Sequence, residues 1–131
     1  MLADTTILVL AAILTWLMLI TASALRARVL HKGGAKRAAG PRDDLGEPSP
    51  LAARADRAAK NMLENLVLFI ALLAAVHFAG KVNAQVQLGA NIFFWSRLAY
   101  WPAYLVHVPW VRPVVWSVSI IGLAMIAAAI V

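Results

Sequence analysis

The stretch RADRAAKNMLEN carries charged and amide side chains into the start of a long apolar run. Arg57, Asn61 and Glu64 recur at intervals of four and three residues, so a helix would place them on one face. Arginine binds a carboxylate, glutamate binds an ammonium group, and asparagine both donates and accepts hydrogen bonds. These residue types at this spacing predict a polar pocket for a small zwitterionic ligand.

A purely structural interpretation of the same face stays open. Lys60 lies on it, one turn before Glu64. A carboxylate in a membrane helix usually faces the bundle interior and has a cationic partner there. The face is therefore also consistent with a structural ion pair among Glu64, Lys60 and an arginine of a neighbouring helix.

A second polar row lies further along the chain. Arg97, Tyr100 and Tyr104 recur at i, i+3 and i+7, which again places them on one helical face. On pattern alone the tyrosines are typical of residues at a membrane interface, and Arg112 of an arginine that anchors a helix there. The alternative role of Arg112 is to hold an anion at the mouth of the pocket. The three histidines show no metal-ligand spacing, so no metal site is predicted.

The composition indicates a membrane protein. The chain has 131 residues, of which 63% are hydrophobic and 14% charged, and its mean hydropathy is +0.79. The net charge of +6 sits mainly beside the apolar stretches, which favours anionic lipid headgroups or a small anion over nucleic acid. Because the chain has no cysteine, any sulfur chemistry must use the thiol of a substrate.

Four apolar stretches are long enough to be membrane helices. They predict an all-α membrane protein of one domain, a bundle of four transmembrane helices. The predicted spans are about 5–28, 51–79, 82–107 and 112–131, with a loop at about 29–50.

Prolines and glycines mark where these helices begin and end. Ser49 is a predicted N-cap with Pro50 at the first helical position, and Gly80 is predicted to end the second helix. Pro102 predicts a kink within the third helix. Pro109 and Pro113 are predicted to bracket a tight turn before the fourth.

The basic residues predict the orientation in the membrane. Nine of the 12 lysines and arginines fall between the apolar parts of the first two spans: Arg26, Arg28, Lys32, Lys36, Arg37, Arg42, Arg54, Arg57 and Lys60. The long loop is therefore expected in the cytoplasm and both termini on the opposite side. The N-terminal MLAD contains an acid and no basic residue, which argues against a cleaved signal peptide. The turn near Arg112 then shares the cytoplasmic side with RADRAAKNMLEN.

Two motifs together resemble those of the MAPEG family, the membrane-associated proteins in eicosanoid and glutathione metabolism. RAAKNMLE, residues 57–64, is similar to the family pattern R-A-x-x-N-x-x-E at the start of helix two. RLAYWPAY, residues 97–104, is similar to R-x-x-[YH]-x-x-x-Y on helix three, and Arg112 follows it. The similarity spans the whole chain, which resembles a bacterial-type member.

The resemblance implies a homotrimer in the lipid bilayer, with glutathione, the thiol co-substrate, between neighbouring subunits near the cytoplasmic face. It assigns glutathione contacts to Arg57, Lys60, Asn61 and Glu64 on one subunit, and to Tyr100 and Tyr104 from the side of the adjacent subunit. Arg112 resembles the catalytic arginine that stabilises the thiolate, and Arg26 or Arg28 resembles a basic residue that helps to seat the ligand. Lys60 stands where the prostaglandin E synthase branch has an arginine, which argues against that chemistry.

The implied activity is glutathione conjugation or glutathione-dependent peroxide reduction of a lipophilic small molecule. A non-catalytic MAPEG-like structural membrane protein is the alternative, in which the charged face only joins subunits. A small multidrug exporter is a third possibility, but it needs a titratable carboxylate within its first span, and residues 5–25 contain none.

Overall fold

A computed structural model describes residues 1–27 and 48–131. Within these ranges the chain forms four helices and no strand. They are α1 (Asp4–Ala27), α2 (Pro50–Phe78), α3 (Ala84–Leu105) and α4 (Val111–Ala128). The predicted all-α fold with four helices is confirmed, whereas most of the predicted loop at 29–50 lies outside the described residues.

The ends of α2 lie where the sequence predicts them. The Ser49 hydroxyl accepts a hydrogen bond of 3.1 Å from the backbone N–H of Ala52, and Pro50 begins the helix. Such a serine satisfies one of the amides that a helix leaves unpaired at its start. At the other end Gly80 has φ of +65°, a conformation that glycine adopts without steric cost.

Three helices, α1, α2 and α4, are long and apolar enough to cross a membrane. The 22 residues of α3 reach about 33 Å at the usual helical rise, a similar length, but α3 is not apolar enough to be counted with the other three. Asn91, Ser96 and Arg97 of α3 are buried in the bundle. These three polar side chains of α3 thus face protein rather than the surroundings.

α4 lies against α3 and, less extensively, α2, and among the described residues it does not contact α1. The two helices approach closely at Gly89 and Gly122. A Cβ atom on Gly122 would lie 2.6 Å from the carbonyl oxygen of Gly89, and one on Gly89 would lie 2.7 Å from that of Gly122. Both distances are shorter than any normal carbon–oxygen contact, so the crossing requires glycine on both helices.

Gly122→Val is therefore expected to destabilise the protein by about 1–3 kcal/mol or more, since the added side chain must push α4 away from α3. Thermal unfolding in detergent measures the effect. Ala124→Val is the matched control, because Ala124 lies on the same helix and is exposed. Equal stability of the two variants would contradict the close crossing.

Polar contacts fix one end of the bundle. His77 Nε2 lies 2.5 Å from a carboxylate oxygen of Asp4, which joins the end of α2 to the start of α1. The Asn91 amide donates to the Leu2 carbonyl (2.7 Å) and accepts from the Leu2 N–H (3.1 Å). The start of α3 therefore lies at this end too, and the helices alternate in direction.

The connection between α3 and α4 differs in one respect from the prediction. The turn covers residues 106–110, and Pro113 lies inside the first turn of α4 rather than in the connection. A proline is tolerated there because the first amides of a helix have no partner within it. His107 and Trp110 have φ of +56° and +68°. α3 runs on through Pro102 to Leu105, and the kink at Pro102 stays a prediction.

Candidate functional site

Three helices meet at Tyr104, at the end of the bundle opposite to the Asp4–His77 pair. Arg57 of α2 donates a hydrogen bond from Nε to the Tyr104 hydroxyl (3.0 Å). The guanidinium carbon of Arg112, on α4, lies 5.5 Å from the centre of the Tyr104 ring, in cation–π geometry. Tyr104 therefore brings two positive charges from different helices together.

A cavity of about 350 Å³ opens beside this contact, and we call it the arginine cavity. Its polar lining consists of Arg54, Arg57, Tyr104, His107 and Arg112. No acidic side chain among the described residues lines it. Three guanidinium groups without a carboxylate between them favour binding of an anion, and their planar donor groups match carboxylates.

A second cavity of about 320 Å³ lies one helical turn further into the bundle, and we call it the tyrosine cavity. It is lined by Asn61, Tyr100, Arg112, Pro113 and Trp116. The Tyr100 ring stacks on Tyr104, with 5.3 Å between the ring centres. Because Arg112 and Pro113 line both cavities, the Arg112 guanidinium lies where the two meet.

The structure brings five of the predicted site residues to these cavities: Arg57, Asn61, Tyr100, Tyr104 and Arg112. Lys60 and Glu64 line neither cavity and are exposed on the surface of the single chain. Within residues 1–27 and 48–131, Glu64 forms no salt bridge, so the structural pair with Lys60 is not formed there. Arg26 also lines neither cavity, and Arg28 lies outside the described residues.

Arg54 has a larger role than its sequence position suggests. By sequence Arg54 is one of the basic residues that flank the first two spans, yet its side chain is half-buried and lines the arginine cavity. Its Nε donates a hydrogen bond of 3.0 Å to the carbonyl of Leu105, the last residue of α3. The signal in the sequence is its spacing, one turn before Arg57 on the same helical face.

Arg97 belongs to the second motif but had no predicted function. Its side chain is 1% exposed, and its Nη1 donates a hydrogen bond of 2.5 Å to Oδ1 of Asn61. Its guanidinium carbon also lies 5.3 Å from the centre of the Tyr100 ring. Nε and Nη2 have no hydrogen-bond partner in the described part of the chain. Arg97 thus lies directly behind the Asn61 wall of the tyrosine cavity.

Comparison with known proteins identifies a family for this arrangement. The sequence model of the MAPEG family matches residues 6–131, nearly the whole chain. The match includes both motifs and all the residues that line the two cavities. A search of curated proteins found no match.

Proposed function

The chain belongs to the MAPEG family, and from this premise we propose that it is a glutathione-dependent transferase or peroxidase acting on lipophilic electrophiles. It is an integral membrane protein of the glutathione and eicosanoid metabolism type. One observation carries the finer proposal: Arg112 lies between a cavity rich in arginine and a cavity with an aromatic wall. A positive charge there can stabilise the thiolate of a ligand bound in the arginine cavity. An apolar reactant can then approach the same sulfur from the tyrosine cavity.

The arginine cavity suits the ends of glutathione. This tripeptide carries two carboxylates and one ammonium group, so its net charge is negative. Arg54 and Arg57 offer donors in the planar arrangement that binds carboxylates. We propose that the ligand enters here with its carboxylates towards α2 and its sulfur towards Arg112.

Arg112 would activate the sulfur. A free thiol has a pKa of about 8.5, and a nearby guanidinium lowers that pKa because it stabilises the thiolate, the reactive form. The thiol proton passes to solvent at the open cavity. In conjugation the thiolate attacks an electrophilic carbon, a C–S bond forms, and the leaving group departs with its electron pair.

Peroxide reduction would use the same thiolate. The sulfur attacks the terminal oxygen of a hydroperoxide, so an S–O bond forms while the O–O bond breaks, and the alkoxide takes a proton to become the alcohol. A second glutathione then reacts with the sulfenic acid, which gives the disulfide and water. Both routes need a lipophilic reactant beside the sulfur, and Trp116 and Pro113 of the tyrosine cavity offer it an apolar surface.

The charged face of α2 supports a homotrimer. Asp56, Arg57, Lys60 and Glu64 are all exposed on the single chain although they belong to a membrane-spanning helix. Charged side chains in a membrane helix usually face protein or a water-filled cavity, since lipid solvates them poorly. We propose that neighbouring subunits cover this face. The excess of basic residues in the first loop supports a cytoplasmic position for that loop, and hence for both cavities.

A non-catalytic role is the second candidate, and Glu64 is the observation that favours it. Its carboxylate lines neither cavity and is exposed on the single chain, so it is available for a contact between subunits. In that case the family fold would be retained without glutathione chemistry.

Calorimetric titration of the detergent-solubilised protein with glutathione separates the two functions. Under the catalytic proposal the wild type binds glutathione between neighbouring subunits, where its ammonium group reaches the exposed Glu64, so Glu64→Gln weakens binding about 10-fold or more. Under the structural alternative there is no heat of binding, and Glu64→Gln lowers only the thermal stability of the trimer. Absence of binding by the wild type would overturn the catalytic proposal.

A further inference from the structure

Arg97 is the largest fully buried side chain of the described chain. A buried guanidinium is costly unless it is paired and hydrogen-bonded. Here its one hydrogen-bond partner is the neutral amide of Asn61, and the rings of Phe93 and Tyr100 provide weaker contacts at 5.8 and 5.3 Å from their centres. No carboxylate among the described residues pairs with it. Stability alone does not explain an arginine in this place.

The contact with Arg97 fixes which way the Asn61 amide points. A guanidinium has only donors, so the atom of Asn61 that faces it must be the carbonyl oxygen Oδ1. This chemistry removes the usual ambiguity between the oxygen and nitrogen of a side-chain amide. Asn61 Nδ2 makes no hydrogen bond within the described residues, and its side chain lines the tyrosine cavity. Its two N–H donors are therefore available to a ligand there.

The charge of Arg97 also strengthens these donors. A cation at Oδ1 polarises the amide and makes its N–H groups better donors, because hydrogen bonds in a chain reinforce one another. Arg112 and Tyr100, the other polar groups of the cavity, also carry donors. All these polar groups can thus donate to an acceptor in the tyrosine cavity.

We propose that Arg97 is a positioning residue that holds Asn61 as an obligatory hydrogen-bond donor, so that the tyrosine cavity selects an acceptor, an anionic oxygen or a carbonyl, of the bound thiol. This inference rests on the proposed function of the site. Arg97 does not touch the ligand in this arrangement, since its guanidinium lies behind Asn61. Asn61 can then only donate hydrogen bonds to the cavity, although an asparagine side chain can in general also accept them.

Two substitutions separate this role from a structural one. Asn61→Asp keeps an oxygen towards Arg97 and adds an ion pair, but it replaces the N–H donors of the cavity by an acceptor. Arg97→Met removes a buried charge that no carboxylate of the described residues compensates and whose burial is therefore costly, but it leaves the Asn61 amide free to turn. If Arg97 is only structural, weaker glutathione binding should come with lower thermal stability. If Arg97 positions Asn61, binding should weaken without a loss of stability.

The test is a calorimetric titration with glutathione of each variant, together with thermal unfolding in the same detergent. We expect Asn61→Asp to keep or raise the melting temperature while it weakens glutathione binding roughly 30-fold or more, because a donor becomes a repelling acceptor. Arg97→Met is expected to weaken binding about 5-fold to 10-fold without a lower melting temperature. Arg97→Lys should restore most of the affinity, since lysine also has only donors.

Asn83→Asp is the matched control. It makes the same chemical change at the N-cap of α3, at the opposite end of the bundle, where aspartate serves equally well. It should bind glutathione as the wild type does. If Asn61→Asp also binds as tightly as the wild type, or if Arg97→Met loses affinity only in proportion to stability, the positioning role is wrong. If the wild type binds no glutathione at all, the proposed function fails first and this inference with it.

Discussion

Arg112→Ala is expected to lower the rate of glutathione conjugation at neutral pH by about 30-fold or more, the loss that follows when the bound thiol falls from full ionisation to the few per cent of a free thiol. At neutral pH only a few per cent of a free thiol is ionised, so without the guanidinium most of the bound ligand would be unreactive. Arg112 is exposed in the first turn of α4, and its substitution leaves the packing of the bundle intact. The rate of conjugation of chlorodinitrobenzene by purified protein in detergent measures the effect.

The pH dependence of that rate identifies the cause. As the pH rises through about 8.5, thiols ionise without help, so the difference between wild type and Arg112→Ala should shrink. Arg112→Lys keeps the charge and should retain much more activity than the alanine variant at neutral pH. Rates within threefold of the wild type for Arg112→Ala, at every pH, would contradict a role in activating the thiol.

Arg57→Ala is expected to weaken glutathione binding about 10-fold to 100-fold, since a hydrogen bond between two charged groups contributes roughly 1.5–3 kcal/mol. Arg57 lines the arginine cavity, and its Nε is held by the Tyr104 hydroxyl at 3.0 Å. Its remaining guanidinium donors are thereby available to the arginine cavity. Calorimetric titration with glutathione gives the dissociation constant.

Two further variants test whether the orientation of Arg57 matters. Tyr104→Phe removes the hydroxyl that accepts from Arg57 and should weaken binding, but less than Arg57→Ala, because the charge stays. Lys81→Ala removes a positive charge at the other end of the bundle, where Lys81 Nζ donates to the Ile130 carbonyl (2.8 Å), and should not affect binding. Equal affinities of Arg57→Ala and Lys81→Ala would show that Arg57 makes no contact with the ligand.

The features of this fold that depend on neighbours along the chain follow from the sequence. Ser49 caps α2 and Gly80 follows its end because both effects depend on a few consecutive residues. The spacing of Arg57 and Asn61 fixes them on one face of α2 by helical periodicity alone. Arg57 and Arg112 line the same cavity, as expected when the turn near Arg112 lies on the same side as RADRAAKNMLEN.

Features that depend on which helix faces which were not predictable. The hydrogen bond from Arg54 to Leu105 joins residues 51 positions apart, and the one from Arg97 to Asn61 joins residues 36 positions apart. Periodicity places each residue on a face but does not identify the opposing helix. For the same reason the structural interpretation of Glu64 invoked an ion pair that the described residues do not form. The close crossing at Gly122 was missed because its partner, Gly89, lies on another helix.

The ultraviolet absorbance of the thiolate tests most directly whether Arg112 holds a reactive thiol. Glutathione is titrated at neutral pH into wild-type protein and into Arg112→Ala, and the difference spectrum is recorded against free glutathione. We predict a thiolate band that saturates on the wild type and is lost in the variant. No band with either protein, or an equal band with both, would contradict the activation of glutathione by Arg112.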